Sequence, residues 1–444
     1  MKIPQVLLVE LKHAPGQLAR MLLSVAEIGL TVQGLESISR TQDRSIWELS
    51  LDVEQGLEQE VLDAIAGSGV AKVLGTSDRV FDRHKGGKLD VRSTVQFDDL
   101  KTLREVYTPG VARVCLAIEK DPSLARKYTA ISRTVAVVTN GTAVLGLGDI
   151  GAVAGMPVME GKAALFREFG GISGVPILTE SKSVDEVVSL VKGIAPTFGA
   201  IQLEDIAAPE CFEIEARLIE ELNIPVLHDD QHGTAVVVLA ALIGGARLAG
   251  IDLTTSTVGQ IGLGAAGIGI SRLLLRHGVP RVLGADLAEA SLRQFERSGG
   301  TRSTLEGVMS EADIVVATTG VPGLIKPDMV RNGQIVFALS NPEPEIEPSL
   351  ALERGARFAA DGKNINNVLA FPGLFKGALD AGATKFTDEM LLAAARAIAD
   401  SAAEDDEGTL VSSPLRRATH ARVAEYVAAA AAAGGTVISH GRLG

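Results

Sequence analysis

Residues 257–286 read TVGQIGLGAAGIGISRLLLRHGVPRVLGAD, and this stretch decides the fold. An apolar run ends at Ile261. Three glycines, Gly262, Gly264 and Gly267, then open an amphipathic helical pattern, and a second apolar run ends on Asp286. That is strand, glycine turn, helix and strand, the opening unit of a Rossmann-type doubly wound sheet. Gly262 permits the tight turn, Gly264 lets a pyrophosphate approach the backbone, and Gly267 lets the helix pack on the strand. The first amides of the helix and its dipole attract phosphate. Asp286 stands where an adenine ribose offers its hydroxyls and would repel a 2′-phosphate, so NAD is expected in preference to NADP. Ala266 in the turn belongs to the same expected cofactor site. So do Thr318 and Asn341, at the ends of the later apolar runs "ADIVVATTG" and "GQIVFALSNP".

Upstream, from about residue 95, further short apolar runs ("TVAVVT", "AVLGLGD", "VPILT", "AIQLEDI", "IPVLHDD") alternate with helical stretches. This predicts a second α/β unit with a parallel sheet. Two of its strands end on paired acids, Glu204-Asp205 and Asp229-Asp230. Such sheets bind ligands beyond the carboxyl ends of their strands. A single acid there would read as a helix N-cap. Four acids at neighbouring strand ends repel one another unless a hard cation with oxygen ligands relieves them. Mg²⁺ or Mn²⁺ suits an all-carboxylate set, while His228 and His232 nearby keep Zn²⁺ open.

Lys162, in "MEGKAALF", is placed by the pattern at the first turn of a helix, where the dipole disfavours an ammonium. A lysine lowered in this way can serve as a base, and a solvated surface lysine is the plain alternative. Tyr107 lies in "VYTPGVA", beside the Pro109-Gly110 turn. Residues alone favour core packing for it.

Residues 3–75 alternate as strand, helix, hairpin, helix and strand. That order is the ferredoxin-like βαββαβ arrangement. A polar stretch, "SDRVFDRHKGGKLDVRST", follows as an exposed linker. The expected division is 1–78, a linker at 79–94, a substrate and metal domain at 95–229 rejoined by 368–444, and an NAD-binding domain at 230–367.

The whole chain has 444 residues, 46% of them apolar, and a formal net charge of −13. The charge argues against nucleic acid or anionic membrane as partner. "TAVVVLAALIGGARLAGI" is interrupted by Arg247 and glycines, so no membrane span is expected. Two cysteines, Cys115 and Cys211, form no disulfide framework and fit a cytoplasmic protein.

The motifs "YTPGVA", "LGLGDIG", "MEGKAALF", "LEDI", "HDDQHGTA", "GLGAAGIG", "ALSNP" and "NNVLAFPG" occur in this order over residues 95–385. Together they resemble malic enzymes of the compact bacterial type. The resemblance implies oxidative decarboxylation of malate to pyruvate with NAD and Mg²⁺ or Mn²⁺. It implies Glu204, Asp205 and Asp230 as metal ligands, Lys162 as general base, Tyr107 as general acid, Asn341 and Asn367 as substrate contacts, and Asp229 beside them in the catalytic site. Ala143 stands where larger members carry an arginine that grips the substrate carboxylate. Malolactic conversion at the same site, or a non-catalytic amino-acid sensor, are the alternatives. Residues 1–78, with "HAPGQLARML", resemble an ACT domain. That implies an amino-acid effector near Gly16, or pairing of chains and nothing more. A homodimer or higher homo-oligomer is expected.

Overall fold

The computed structural model describes residues 2–434 apart from 55, 78, 145, 342, 364 and 406–408. Leu145 and Pro342 of the quoted motifs, and residues 435–444 of the expected last segment, lie outside the described residues. The chain divides into two compact units, 1–88 and 89–444.

In the first unit, β1 (Lys2–Lys12), β2 (Val32–Arg40), β3 (Arg44–Glu54) and β4 (Ala71–Ser77) form an antiparallel sheet in the order β2-β3-β1-β4. Alternation puts Leu7, Val9 and Leu11 of β1 and Leu49, Leu51 and Val53 of β3 on one face. There they meet Met21 and Val25 of helix Gln17–Glu27 and Val61 and Ile65 of helix Glu58–Gly67. The element order is the expected βαββαβ. Within the expected linker, Arg79–His84 form a short helix.

The second unit holds two parallel sheets. The first comprises β5 (Thr134–Thr139), β6 (Ser173–Leu178), β7 (Ala200–Leu203) and β8 (Val226–His228), in the order β6-β5-β7-β8. The segment "AVLGLGD" is not a strand. Gly146 and Gly148 take φ +74° and +73°, which an extended strand cannot use, and only a Val144–Gly148 bridge remains. Helix Asp229–Ala249 leaves β8 and runs through the core, so the expected 229/230 boundary falls at the first residue of a continuous helix. This helix is long and apolar enough to cross a membrane, and it is mostly buried within the fold.

The second sheet comprises β9 (Thr257–Ile261), β10 (Arg281–Ala285), β11 (Thr301–Arg302), β12 (Ile314–Ala317), β13 (Ile335–Ala338) and β14 (Phe358–Asp361). Its order is β11-β10-β9-β12-β13-β14. Numbered from β9 this is 3-2-1-4-5-6, the dinucleotide-binding order, whose crevice opens between β9 and β12. Helices Phe371–Ala381 and Arg417–Ala433 pack on each other and on the π-helical turn Phe166–Gly170 of the first α/β layer. The Phe371 ring meets Phe166 edge-on at 4.9 Å.

Candidate active site

β7 and β8 are neighbours, so their ends bring the two acid pairs together. Glu204, Asp205 and Asp230 each offer an oxygen within 4.8 Å of the others. Asp205 takes φ +52°, a left-handed conformation that no other described non-glycine residue adopts. Its N–H donates to Asp230 Oδ2 at 2.9 Å, and its carbonyl accepts from Ala143 N–H at 3.0 Å. The backbone is thus bent to aim the Asp205 carboxylate at its neighbours, at a cost of ~1–3 kcal/mol that the surrounding contacts must cover. Asp205 Oδ2 is buried and has no hydrogen-bond partner. Burial and the nearby Asp230 push Asp205 up to about 7, and burial drives Glu204 well above the usual carboxylate range. Burial also acts to raise Asp230, but His228, with Nε2 3.2 Å away, outweighs it and holds the carboxyl low. Three hard oxygen donors, one of them orphaned, fit a divalent cation such as Mg²⁺ or Mn²⁺.

Lys162 is buried beside them. Its Nζ donates to Asp229 Oδ2 at 2.5 Å and lies 3.0 Å from Glu204 Oε1 and 4.5 Å from the centre of the Phe371 ring. Among the described residues it is the only lysine or arginine in ion-pair contact with these acids. Its helix differs from the expected one. It spans Ala152–Leu165, is entered through Gly151 and includes Pro157, so Lys162 sits in its last turn before the π-helical turn and not in the first. It is thus well removed from the N-terminal end, whose dipole would disfavour an ammonium. Burial alone would lower its pKa, but Asp229 and Glu204 prevail and raise it far above the ordinary lysine value. Asn367 Nδ2 donates to the same Asp229 Oδ2 at 2.7 Å. Asn367, Asp229, Lys162 and Glu204 therefore form one connected row.

At the glycine turn, Gly262 takes φ +87°, and a Cβ there would sit 2.7 Å from Thr318 O. A Cβ on Gly267 would sit 2.0 Å from Gly262 O, whereas one on Gly264 would meet nothing within 4 Å. The turn is closed toward the strand and open where a pyrophosphate would lie. Ala266 is partly buried on the first turn of helix Ala265–His277. Asp286 accepts from Leu263 N–H and Ala288 N–H, both at 2.7 Å, which fixes its carboxylate at the mouth of the turn. Thr318 follows β12, and Asn341, exposed, follows β13.

Tyr107 stands apart from this assembly. It lies between helices Leu100–Val106 and Val111–Lys120, is 67% exposed, and its phenol has no hydrogen bond to Lys162, Asn367 or the acids. Gly16, at φ +82°, opens helix Gln17–Glu27 with no side-chain cap on the first amides.

Four supporting residues were not anticipated. Gln202 donates to Glu204 Oε2 at 2.5 Å. Buried Glu215 accepts from His228 N–H at 2.7 Å and lies 3.0 Å from His232 Nε2. Gln260 donates to Thr318 Oγ1 and Gly262 O. Buried Glu345 bridges the loops after β12 and β13. Gln202 and Gln260 are lone polar residues in apolar strand runs, a mismatch that the sequence displays, whereas Glu215 and Glu345 lie among other acids and carry no such signal. His232 is paired with Glu215, whereas both ring nitrogens of buried His228 lack a hydrogen-bond partner among the described residues, its Nε2 lying 3.2 Å from Asp230 Oδ2.

Two family profiles match the chain: Malic enzyme, N-terminal domain, over residues 87–219, and Malic enzyme, NAD binding domain, over residues 360–432. NAD-dependent malic enzyme 1 of Bacillus subtilis (strain 168) is 50% identical over 428 residues, 96% of this chain and 97% of that protein. The bifunctional malic/malolactic enzyme of the same organism is 42% identical over 78% of this chain and 90% of its own. Among solved structures, malic enzyme from Pyrococcus horikoshii Ot3 superposes with a TM-score of 0.77 at 39% identity, covering 81% of this chain and 91% of that one.

Proposed function

The chain belongs to the malic enzyme family, and on that premise we propose how its residues oxidise malate with NAD and release pyruvate and carbon dioxide. The observation that carries the proposal is the row Asn367, Asp229, Lys162, Glu204 set beside three converging carboxylates. Glu204, Asp205 and Asp230 hold the divalent cation, and Asp229 and Asn367 orient Lys162. When bound, the cation polarises the C2 oxygen and NAD accepts the hydride. With Glu204 engaged as a ligand, less negative charge would hold Lys162 protonated, and its neutral amine would then serve as the base. Lys162 then receives the C2 hydroxyl proton, and Tyr107 delivers a proton to C3 after carbon dioxide leaves. Gly262, Gly264, Ala266, Gly267, Asp286 and Thr318 seat the cofactor, while Asn341 and Asn367 touch substrate. The substrate-and-metal segment is 95–229 with the C-terminal helices, and the cofactor segment is 230–367. NADH formation from malate at 340 nm tests the reaction. The same assay separates malolactic conversion, which yields lactate without net NADH and is supported by the similarity to the bifunctional enzyme.

We further propose that the enzyme is a cytoplasmic homodimer. Helices Leu100–Val106 and Val111–Lys120 bury no residue, and Leu100, Leu103 and Tyr107 share one exposed face at i, i+3 and i+7 spacing. A second copy covering that face would order Tyr107. Sedimentation of the wild type and of Leu100→Asp tests this, a monomeric wild type excluding it. Residues 1–78 are the proposed amino-acid-responsive module. If no amino acid changes malate kinetics or melting of the full chain, its role is confined to pairing.

A further inference from the structure

Glu345 is 0% exposed and has no lysine or arginine partner among the described residues, yet it is surrounded by hydrogen-bond donors. Its Oε1 accepts from Thr319 N–H at 2.6 Å, Thr319 Oγ1 at 2.8 Å and Ser340 Oγ at 2.5 Å. Its Oε2 accepts from Ser340 N–H at 3.3 Å. Ser340 Oγ in turn accepts from Gly320 N–H at 2.7 Å. Thr319 and Ser340 are the second residues beyond the paired strands β12 and β13, whose ends Ala317 and Ala338 lie opposite each other. A single carboxylate therefore fastens the two loops together at the crevice where a nicotinamide nucleotide enters. Thr318, which hydrogen-bonds Gln260 beside the Gly262 turn, precedes one clamped residue, and Asn341 follows the other.

We propose that Glu345 is a positioning residue that sets Thr318 and Asn341 in register for cofactor and substrate, acting through Thr319 and Ser340. It rests on the assignment above of Thr318 and Asn341 to the cofactor and substrate site. The chemistry demands a carboxylate. A glutamine here must turn its NH₂ toward either Thr319 N–H or Ser340 N–H, and both are donors. A buried donor left facing a donor is costly, so the two loops must separate or shift. A carboxylate with four donors needs no cation to remain buried.

The test compares wild type, Glu345→Gln, Thr319→Val and Ser340→Ala. NADH affinity is read by fluorescence titration, KM for NAD and kcat by steady-state assay, Mn²⁺ affinity by electron paramagnetic resonance, and Tm alongside, all well below melting. In Glu345→Gln the expected result is at least tenfold weaker NADH binding with a raised KM for NAD and unchanged Mn²⁺ affinity. Thr319→Val and Ser340→Ala, which keep the carboxylate, should each weaken NADH by about threefold. A Glu345→Gln enzyme with a lower Tm but wild-type NADH affinity, KM and kcat overturns the proposal. Should that variant not fold, wild-type NADH affinity in both single-donor variants overturns it equally. Failure of the underlying site assignment is distinguishable, because Thr318→Ala and Asn341→Ala would then keep wild-type NADH affinity and kinetics.

Discussion

Lys162 Nζ and Asp229 Oδ2 lie 2.5 Å apart, one at the end of helix Ala152–Leu165 and the other at the first residue of helix Asp229–Ala249. Both are buried, with Glu204 Oε1 3.0 Å from the same ammonium. Removing one partner of a buried pair leaves an uncompensated charge, at a cost of ~3–5 kcal/mol. Lys162→Ala should therefore melt well below wild type in chelator, and saturating Mn²⁺ should close most of that gap by neutralising the stranded acids. Equal melting of the two proteins in chelator would contradict the pairing.

The two proton-transfer roles should separate by step. Lys162→Ala should lose malate oxidation and oxaloacetate reduction alike, by roughly 10²–10⁴-fold, since both need a proton moved at the C2 oxygen. Tyr107→Phe should lose malate-to-pyruvate turnover to a similar extent while still reducing oxaloacetate. Wild-type turnover in Tyr107→Phe would make that tyrosine structural.

Cofactor choice should follow Asp286, whose carboxylate is fixed by Leu263 and Ala288 amides. The next residues, Leu287, Ala288 and Glu289, offer no cation for a 2′-phosphate, and Glu289 is itself engaged with Arg302. The ratio of kcat/KM for NAD to that for NADP should exceed about ten and shrink in Asp286→Ser. A wild type that prefers NADP would refute the assignment.

His420 predicts a pH dependence of stability remote from the acids. It is buried, stacks on Phe169 at 4.3 Å, and donates from Nε2 to Pro414 O. Burial, aided by Arg417, depresses its pKa despite that hydrogen bond. Above an ordinary imidazole value of about 6.5 both folded and unfolded chains hold it neutral, so its contribution is intact. As pH falls through that value the unfolded chain takes a proton that the fold resists, and stability is lost until the lower folded value is reached. Between pH 7 and 5 the Tm of His420→Phe should fall less than that of wild type. Parallel declines would show His420 to be irrelevant.

Local periodicity made both parallel sheets, the glycine turn and the convergence of acids at strand ends legible in the sequence. It failed in two places. The helix carrying Lys162 begins after Gly151 and contains Pro157, whereas the local pattern puts its start at Gly161, nine residues late, and so wrongly puts Lys162 under the N-terminal dipole. "AVLGLGD" alternates like a strand, but its glycines take left-handed conformations. Glu345 and Glu215 are invisible in the sequence for another reason. Their partners lie beyond local periodicity, or are backbone groups that no side-chain pattern records, and only the fold brings them together. Tyr107 is the reverse case. Its motif is plain in the sequence, yet the single chain leaves it exposed.

The most direct test of the central claim is a steady-state assay of malate with NAD, with Mn²⁺ and then with excess chelator. The account predicts NADH and pyruvate formed in equal amounts with Mn²⁺, loss of turnover on chelation, and recovery on adding Mn²⁺ or Mg²⁺. Full turnover in excess chelator, or malate consumed without NADH, would contradict it.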